Sequence, residues 1–550
     1  YQGRLQELDG ASLGEAVARY EAIEETLGRL MSFSFLLYAA DMSDEEVGRF
    51  HQGIREKVTS ISTQTLFFTL ELNRLSDEEL ETKLAAPELA RYGPWLRDLR
   101  ALRDHQLADD LERMLQEKEV TGRAAWTRLF DETLAAMRFP LNGKQLTSTE
   151  ILHKLTDHDA GVRRRAAKAF GKSLGENIRV FAHVTNTLAK DKAIEDDWRG
   201  FKRPVSSRNL ANLVEDQVVD ALVEAVRGAY PRLSHRYYRL KAKWFGVDAL
   251  AYWDRNAPLP ESDDRTIPWQ EARETVLSAY DRFSPDLAAV GERFFAEPWI
   301  DAVARPGKSP GAFAHPTVPS AHPYLLLNYQ GRTRDVMTLA HELGHGVHQV
   351  LAGRQGHLMA STPLTLAETA SVFGEMLTFQ SMLEQETDPA RRKVMLASKV
   401  EDMLNTVVRQ IAFHCFETRL HDARRSEGEL LPRRISELWL ETQRESLGPA
   451  IRFEDEYAHY WAYIPHFVHV PFYVYAYAFG DCLVNSLYAV YEQAAEGFAE
   501  RYLDMLKAGG TLRHKDLLQP FGLDASDPAF WNKGLSLIER FIDELEAEAG

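Results

Sequence analysis

The stretch Thr338–Val350, TLAHELGHGVHQV, gathers three histidines and one glutamate at helical spacing. An α-helix turns 100° per residue, so His341 and His345 lie one turn apart on one face and can offer imidazole nitrogens to a single ion. Glu342 is rotated to the side of that pair, within reach of a water on the ion without being a ligand. This is the mechanical basis of the H-E-x-x-H zinc hydrolase site: two neutral ligands plus a carboxylate held as general base. Helices also carry this pattern by accident, and a single buried histidine is usually only packed. Two neighbours favour the metal reading. Gly344 and Gly346 each cost up to ~1 kcal/mol in a helix, so a turn that keeps both predicts close backbone approach at that point. A catalytic zinc takes three protein ligands and leaves one position open. The segment Pro363–Leu377, PLTLAETASVFGEML, supplies Glu368 and Glu375, seven residues apart on one helical face. Either can coordinate, and the other can then orient a ligand histidine.

The elements that must position these residues are mainly helical. From Leu13 to about Met137 apolar residues recur every three to four positions, which predicts an all-helical N-terminal lobe, 1–138, followed by a catalytic domain, 139–550. At the boundary, Asn142-Gly143 between two short apolar runs predicts a hairpin, and Thr147 with Glu150 a capping box. Helices resume over residues 162–201 and from Gln217 to Phe245, and again near Trp269–Phe283, after a Pro-rich loop that begins at Asp254. The C-terminal region has a single expected strand, Tyr324–Tyr329, directly before a histidine helix near 334–352 and a second ligand helix near 363–383.

At 550 residues the chain is long enough for two or more lobes. The formal net charge of −17 argues against a nucleic-acid partner, and the run Arg163, Arg164, Arg165 reads as one solvated helix face. Two cysteines allow neither a disulfide framework nor a cysteine-based metal site, which fits a reducing, cytoplasmic setting. No apolar run reaches the roughly 18 to 20 residues that span a bilayer, so no membrane partner is expected, and no secretory leader pattern is visible.

Over nearly the whole chain the sequence resembles the thimet oligopeptidase and oligoendopeptidase F metallopeptidases, and the oligoendopeptidase F branch in particular. The resemblance lies in LGRLMSFSFLLYAADMSDEE, RRRAAKAF, PYLLLNYQGRTRDVMTLAHELGHGVHQ, LAETASVFGE and IPHFVHVPFYVYAYAFG. It implies a two-lobed helical metallopeptidase with a deep central channel and a small β-sheet beside a zinc-binding helix. It implies one zinc ion on His341, His345 and Glu368, Glu342 as general base, Glu375 in a supporting role and His348 packed below the site rather than ligating. Relatives use a histidine and tyrosines from the segment equivalent to IPHFVHVPFYVYAYAFG to hold the carbonyl as it becomes an oxyanion. His466 and Tyr473 are the first choices here, with His469 and Tyr477 as alternatives.

The expected activity is hydrolysis of internal bonds in short unstructured peptides, with the strand Tyr324–Tyr329, and so Asn328 and Tyr329, receiving substrate by edge pairing. Two rivals are an exopeptidase of the same chemistry, of the dipeptidyl carboxypeptidase kind, and an inactive helical peptide-binding protein. Oligomeric state and cleavage preference are not encoded in any motif found.

Overall fold

Asp9 accepts a hydrogen bond from the Ser12 amide at 2.8 Å and starts a helix running Gly10–Ala40. The next, Glu45–Arg74, begins in the same way on Asp44. Leu13, Val17, Phe68 and Leu72 of this pair share an apolar core with Leu89 and Tyr92, as helical periodicity predicts. These elements belong to a computed structural model that describes residues 1–260, 265–494 and 496–548. Residues 261–264 of the expected Pro-rich loop and 549–550 at the expected helical end lie outside it. Contacts group the chain into two units. The first comprises Tyr1–Arg103, Asp263–Glu386 and Leu487–Asp524, and the second Asp104–Ser262, Thr387–Ser486 and Ala525–Gly550.

Seven short strands occur among the described residues: β1 (Phe139–Leu141), β2 (Lys144–Leu146), β3 (Leu250–Ala251), β4 (Ile300–Val303), β5 (Phe313–His315), β6 (Tyr324–Tyr329) and β7 (Ile451–Arg452). Of those beyond the hairpin the sequence announces only β6, because the rest have two to four residues, too few to show a two-residue alternation. In the first unit β6 lies between β4, to which it is parallel, and β5, to which it is antiparallel. β4 pairs with β6 from Leu325 to Tyr329 and β5 from Tyr324 to Leu326, so β6 is flanked on both sides at Leu325 and Leu326. The edge pairing expected of substrate along Tyr324–Tyr329 is thus made by β5 from Tyr324 to Leu326, where β5 is the edge of the sheet.

The histidine helix follows at Thr333–Ala352. The ligand segment is not one helix but two, Leu364–Ala367 and Thr369–Gln385, with Glu368 at the break between them (φ −79°, ψ 0°). Gly344 sets the distance of this second helix. A Cβ there would stand 2.4 Å from the Ala370 carbonyl oxygen, and one at Gly346 would stand 2.6 Å from the Phe294 ring. Both glycines thus serve close approach, of a backbone in one case and of an aromatic ring in the other.

In the second unit β1 and β2 form the hairpin, and Asn142 and Gly143 both have positive φ (51° and 79°), as a two-residue turn of this hand requires. Thr147 and Glu150 complete the capping box. The run expected over 162–201 is two helices, Ala160–Glu176 and Ile178–Arg199, interrupted at Asn177 and closed by left-handed Gly200. That from Gln217 to Phe245 is also two, Asp216–Ala229 and Ser234–Trp244, separated by a tight turn containing Pro231. Arg164 and Arg165 are exposed as expected, but Arg163 is buried and pairs with Asp254 at 2.7 Å, because its position falls on the face shared by Ala166, Ala167 and Phe170. No helix among the described residues is long and apolar enough to cross a membrane.

Candidate metal centre and active site

His341 and His345 project from one face of the helix Thr333–Ala352, their ring centroids 4.9 Å apart. Glu368 Oε2 lies 3.4 Å from His341 Nε2 and 3.4 Å from His345 Nε2. One donor atom from each of these three residues falls within 4.8 Å of the others. Glu375 takes the opposite side of the first imidazole: its Oε2 is 3.2 Å from His341 Nδ1. A proton on Nδ1 donates to that carboxylate and leaves the Nε2 lone pair directed at Glu368, so the two glutamates that helical spacing left equivalent occupy different positions. Ser371, one turn beyond Glu368, donates from Oγ to Glu368 Oε2 at 2.7 Å. Sequence reasoning assigned Ser371 no task, although the spacing by three residues on a helix was a visible signal.

Glu342 is buried. Burial raises its pKa above the usual carboxylate value, while His341, His345 and a hydrogen bond from the Ala314 amide of β5 pull it down less strongly. Burial also opposes a charge on His341, but the bond to Glu375 and the nearby carboxylates outweigh it, and the pKa stands above the ordinary imidazole value. Glu368 is penalised by burial too, yet His345, His341 and Ser371 hold it at about 2. It is therefore an anion throughout the physiological range, ready for a cation. His348 is buried, its pKa pushed down to about 4 by desolvation, and its Nε2 has no hydrogen-bond partner. Beside His345 and His348 lies a cavity of about 720 Å³, bounded also by Trp299, Thr317, His322 and Gln349.

Three of the four His/Tyr candidates form one cluster in the second unit. His466 Nε2 is 3.3 Å from the Tyr477 hydroxyl, and the Tyr473 ring lies 6.2 Å from His466 and 5.3 Å from Tyr477. Burial, aided by Arg409 and His469, lowers the His466 pKa, which favours a neutral ring. His469 turns away from this cluster: its Nε2 meets Asp131 Oδ1 at 2.8 Å. In the first unit, Asn328 donates to the Ser309 and Gly311 carbonyls at 3.0 and 2.9 Å, and the Tyr329 hydroxyl donates to Ile267 O at 2.7 Å. Both side chains thus tie the sheet to the loops around it. The Ala314 amide beside Glu342 was invisible in the sequence, because a backbone group carries no residue-type signal.

Comparison with known proteins bears on these positions. Oligopeptidase PepF of Bacillus subtilis is 27% identical over 565 residues, covering 99% of this chain and 82% of its own. A crystal structure assigned as a peptidase from Chlamydophila abortus shares the fold, with a TM-score of 0.89, 24% identity and coverage of 99% of this chain and 92% of that one. So does oligoendopeptidase-F from Enterococcus faecium, with a TM-score of 0.75, 22% identity and coverage of 100% and 95%. A family model described as Oligopeptidase F matches residues 71–139, and one described as Peptidase family M3 matches residues 154–537. The second match takes in the histidine helix, both glutamates of the broken helix and the His/Tyr segment, and the chain belongs to peptidase family M3.

Proposed function

We propose that the protein is a zinc-dependent oligoendopeptidase that cleaves internal bonds of short unstructured peptides. Peptidases of this family are metal-dependent. The observation that carries the zinc assignment is the donor set: two imidazole Nε2 atoms, each 3.4 Å from one Glu368 oxygen, with Glu375 fixing the outer nitrogen of His341. Two neutral nitrogens and one carboxylate match the ligands of a catalytic zinc and leave a position free. When bound, such an ion supplies Lewis acidity, lowering the pKa of water and polarising a carbonyl.

The protein's own groups then do the following. Glu342 accepts the proton of the attacking water and returns it to the leaving amine, a task suited to a carboxylate whose pKa burial has raised. Glu375 keeps His341 in the tautomer that presents Nε2. His466 and Tyr473, with Tyr477 beside them, donate to the oxyanion. The edge strand is β5, and an extended peptide pairing with it would take the place of Glu342 on the Ala314 amide and of Gln349 on the Ala314 carbonyl. Main-chain pairing there reads little of the substrate's side chains, and the cavity beside His345 receives one or more of them. Both thiols, Cys415 and Cys482, are free, which supports a cytoplasmic setting.

The test is to follow a quenched peptide of about ten residues, the same peptide with blocked ends and a folded protein, alongside metal analysis of the purified enzyme. Zinc near one equivalent, internal cleavage of both peptides and an intact folded protein are expected. Release of terminal dipeptides only, or loss of cleavage on blocking, would replace this reading with the exopeptidase one.

A further inference from the structure

The loop that carries the His/Tyr cluster contains a residue in an unfavourable backbone conformation. Phe472, which directly precedes Tyr473, has φ +60°, and its side chain is fully buried. For a phenylalanine the left-handed region is sterically disfavoured, and such a residue persists only where its surroundings over-determine it. Those surroundings come from one face of the helix Val408–Ser426. Glu417 Oε1 accepts from the Phe472 amide at 2.8 Å. One turn to either side of Glu417, His414 and His421 flank the Phe472 ring at centroid distances of 5.9 and 4.9 Å. All three polar residues are buried.

A glutamate is an expensive residue to bury for one hydrogen bond. Glu417 is 1% exposed, and its second oxygen, Oε2, has no hydrogen-bond partner. Burial raises its pKa to about 8, so it is neutral near pH 7. An amide would be as good an acceptor and an apolar residue would pack more cheaply, if packing were the only requirement. What this position supplies is an acceptor at a set reach from the helix axis. Neighbouring contacts fix the rest of the loop: Arg208 Nε donates to Pro471 O at 3.2 Å, and Asn212 donates to the Tyr475 hydroxyl at 2.8 Å.

We infer that Glu417 is a positioning residue for the peptidase reaction: by holding the Phe472 amide it fixes the left-handed turn from which Tyr473 is aimed alongside His466 and Tyr477. This rests on the role proposed above for Tyr473. It assigns Glu417 no contact with substrate; its effect on catalysis passes through one backbone amide and the side chain that follows.

The experiment compares Glu417→Gln, Glu417→Asp, Glu417→Leu, Tyr473→Phe and the double variant Glu417→Leu/Tyr473→Phe in the metal-loaded enzyme, reading kcat and KM separately on a quenched peptide. Glu417→Gln keeps an acceptor at the same reach and should retain kcat within about twofold. Glu417→Asp is one methylene short, and Glu417→Leu has no acceptor. Each should lower kcat tenfold or more with KM changed less than twofold. The double variant should be no slower than Tyr473→Phe alone, because both changes remove the same hydroxyl from its working position. If Glu417→Leu does not fold, Glu417→Asp carries the comparison. Normal kcat in both Glu417→Asp and Glu417→Leu, beside an impaired Tyr473→Phe, overturns this inference alone. So does a Glu417→Gln variant as slow as Glu417→Asp, or a double variant in which the two losses multiply. A Tyr473→Phe variant with normal kcat overturns instead the reading on which the inference rests.

Discussion

Glu342 is buried, Glu375 is half-buried and both act on the charge of His341, yet their substitution should give opposite signatures. Glu342→Gln removes the proton acceptor and leaves the donor set of His341, His345 and Glu368 intact. It should lower kcat by roughly 10² to 10⁴ with metal content unchanged, as measured by turnover and elemental analysis on the same sample. Glu375→Gln weakens the hold on His341 Nδ1, 3.2 Å away. It should lower metal affinity by roughly 10 to 100-fold, read by competition with a chelating dye. At this scale the sequence was most legible where spacing along one helix was enough, as for His341, Glu342 and His345. Helical spacing could not separate Glu368 from Glu375, since seven residues bring a helix back to the same face. The helix break at Glu368 and the bond from Glu375 to the outer nitrogen separate them, and neither has a periodicity.

Among the elements, the crossing of Thr333–Ala352 with Thr369–Gln385 is the most sensitive to one added carbon. Gly344→Ala drives a Cβ into the Ala370 carbonyl. It should cost roughly 1 to 3 kcal/mol in stability and weaken metal binding as well, because Glu368 sits two residues before the point of collision. Gly228→Ala, in a helix where an added Cβ meets nothing within 4 Å, should instead gain up to ~1 kcal/mol. Denaturant unfolding of the two variants checks the contrast. The helix Val408–Ser426 offers a pH test. Burial depresses His414 to about 4 and His421 to about 3, so the unfolded chain takes up protons below its ordinary imidazole value of 6.5 and the folded chain does not. Their contribution to stability is lost as pH falls from 6.5 towards 4. Glu417 runs the other way. Burial raises it to about 8 against the weaker pull of Phe472, Arg208 and Lys192, while the unfolded chain releases that proton near 4.5. The two imidazoles, which finish deprotonating just above pH 6.5 in the unfolded chain, are common to wild type and Glu417→Gln, so Glu417 alone makes the two differ between pH 6.5 and 8. Wild type should lose stability relative to Glu417→Gln across that window, by up to ~1.4 kcal/mol per pH unit. Urea titrations at three pH values in the window measure it, and parallel curves would exclude a neutral Glu417. Elements with strong local signals, such as the Asn142-Gly143 hairpin and the Thr147 capping box, were fully readable in the sequence. The two-residue strands β3 and β7 were not, since they exist only through the neighbour each one finds.

For the molecule as a whole, charge and metal linkage give the measurable consequences. A net charge of −17 should favour encounter with basic peptides, so kcat/KM for a lysine-containing peptide should exceed that for its glutamate counterpart by a ratio that shrinks as salt is added. Bound metal stabilises the folded first unit by mass action, by ~2.7 kcal/mol at a hundredfold excess over Kd. Stripping with a chelator should therefore lower the thermal midpoint, and adding zinc back should restore it. Each unit is assembled from three separated stretches of chain, an arrangement that depends on contacts between residues hundreds of positions apart and leaves no trace in local periodicity. Gly344 is the smallest instance of that dependence. The missing Cβ there means that Glu368 is brought to His341 and His345 by one main chain resting on another. A transplant of this site into a foreign scaffold would have to reproduce the separation of two helix axes before it copied any side chain, and a scaffold chosen by its ligands alone would fail.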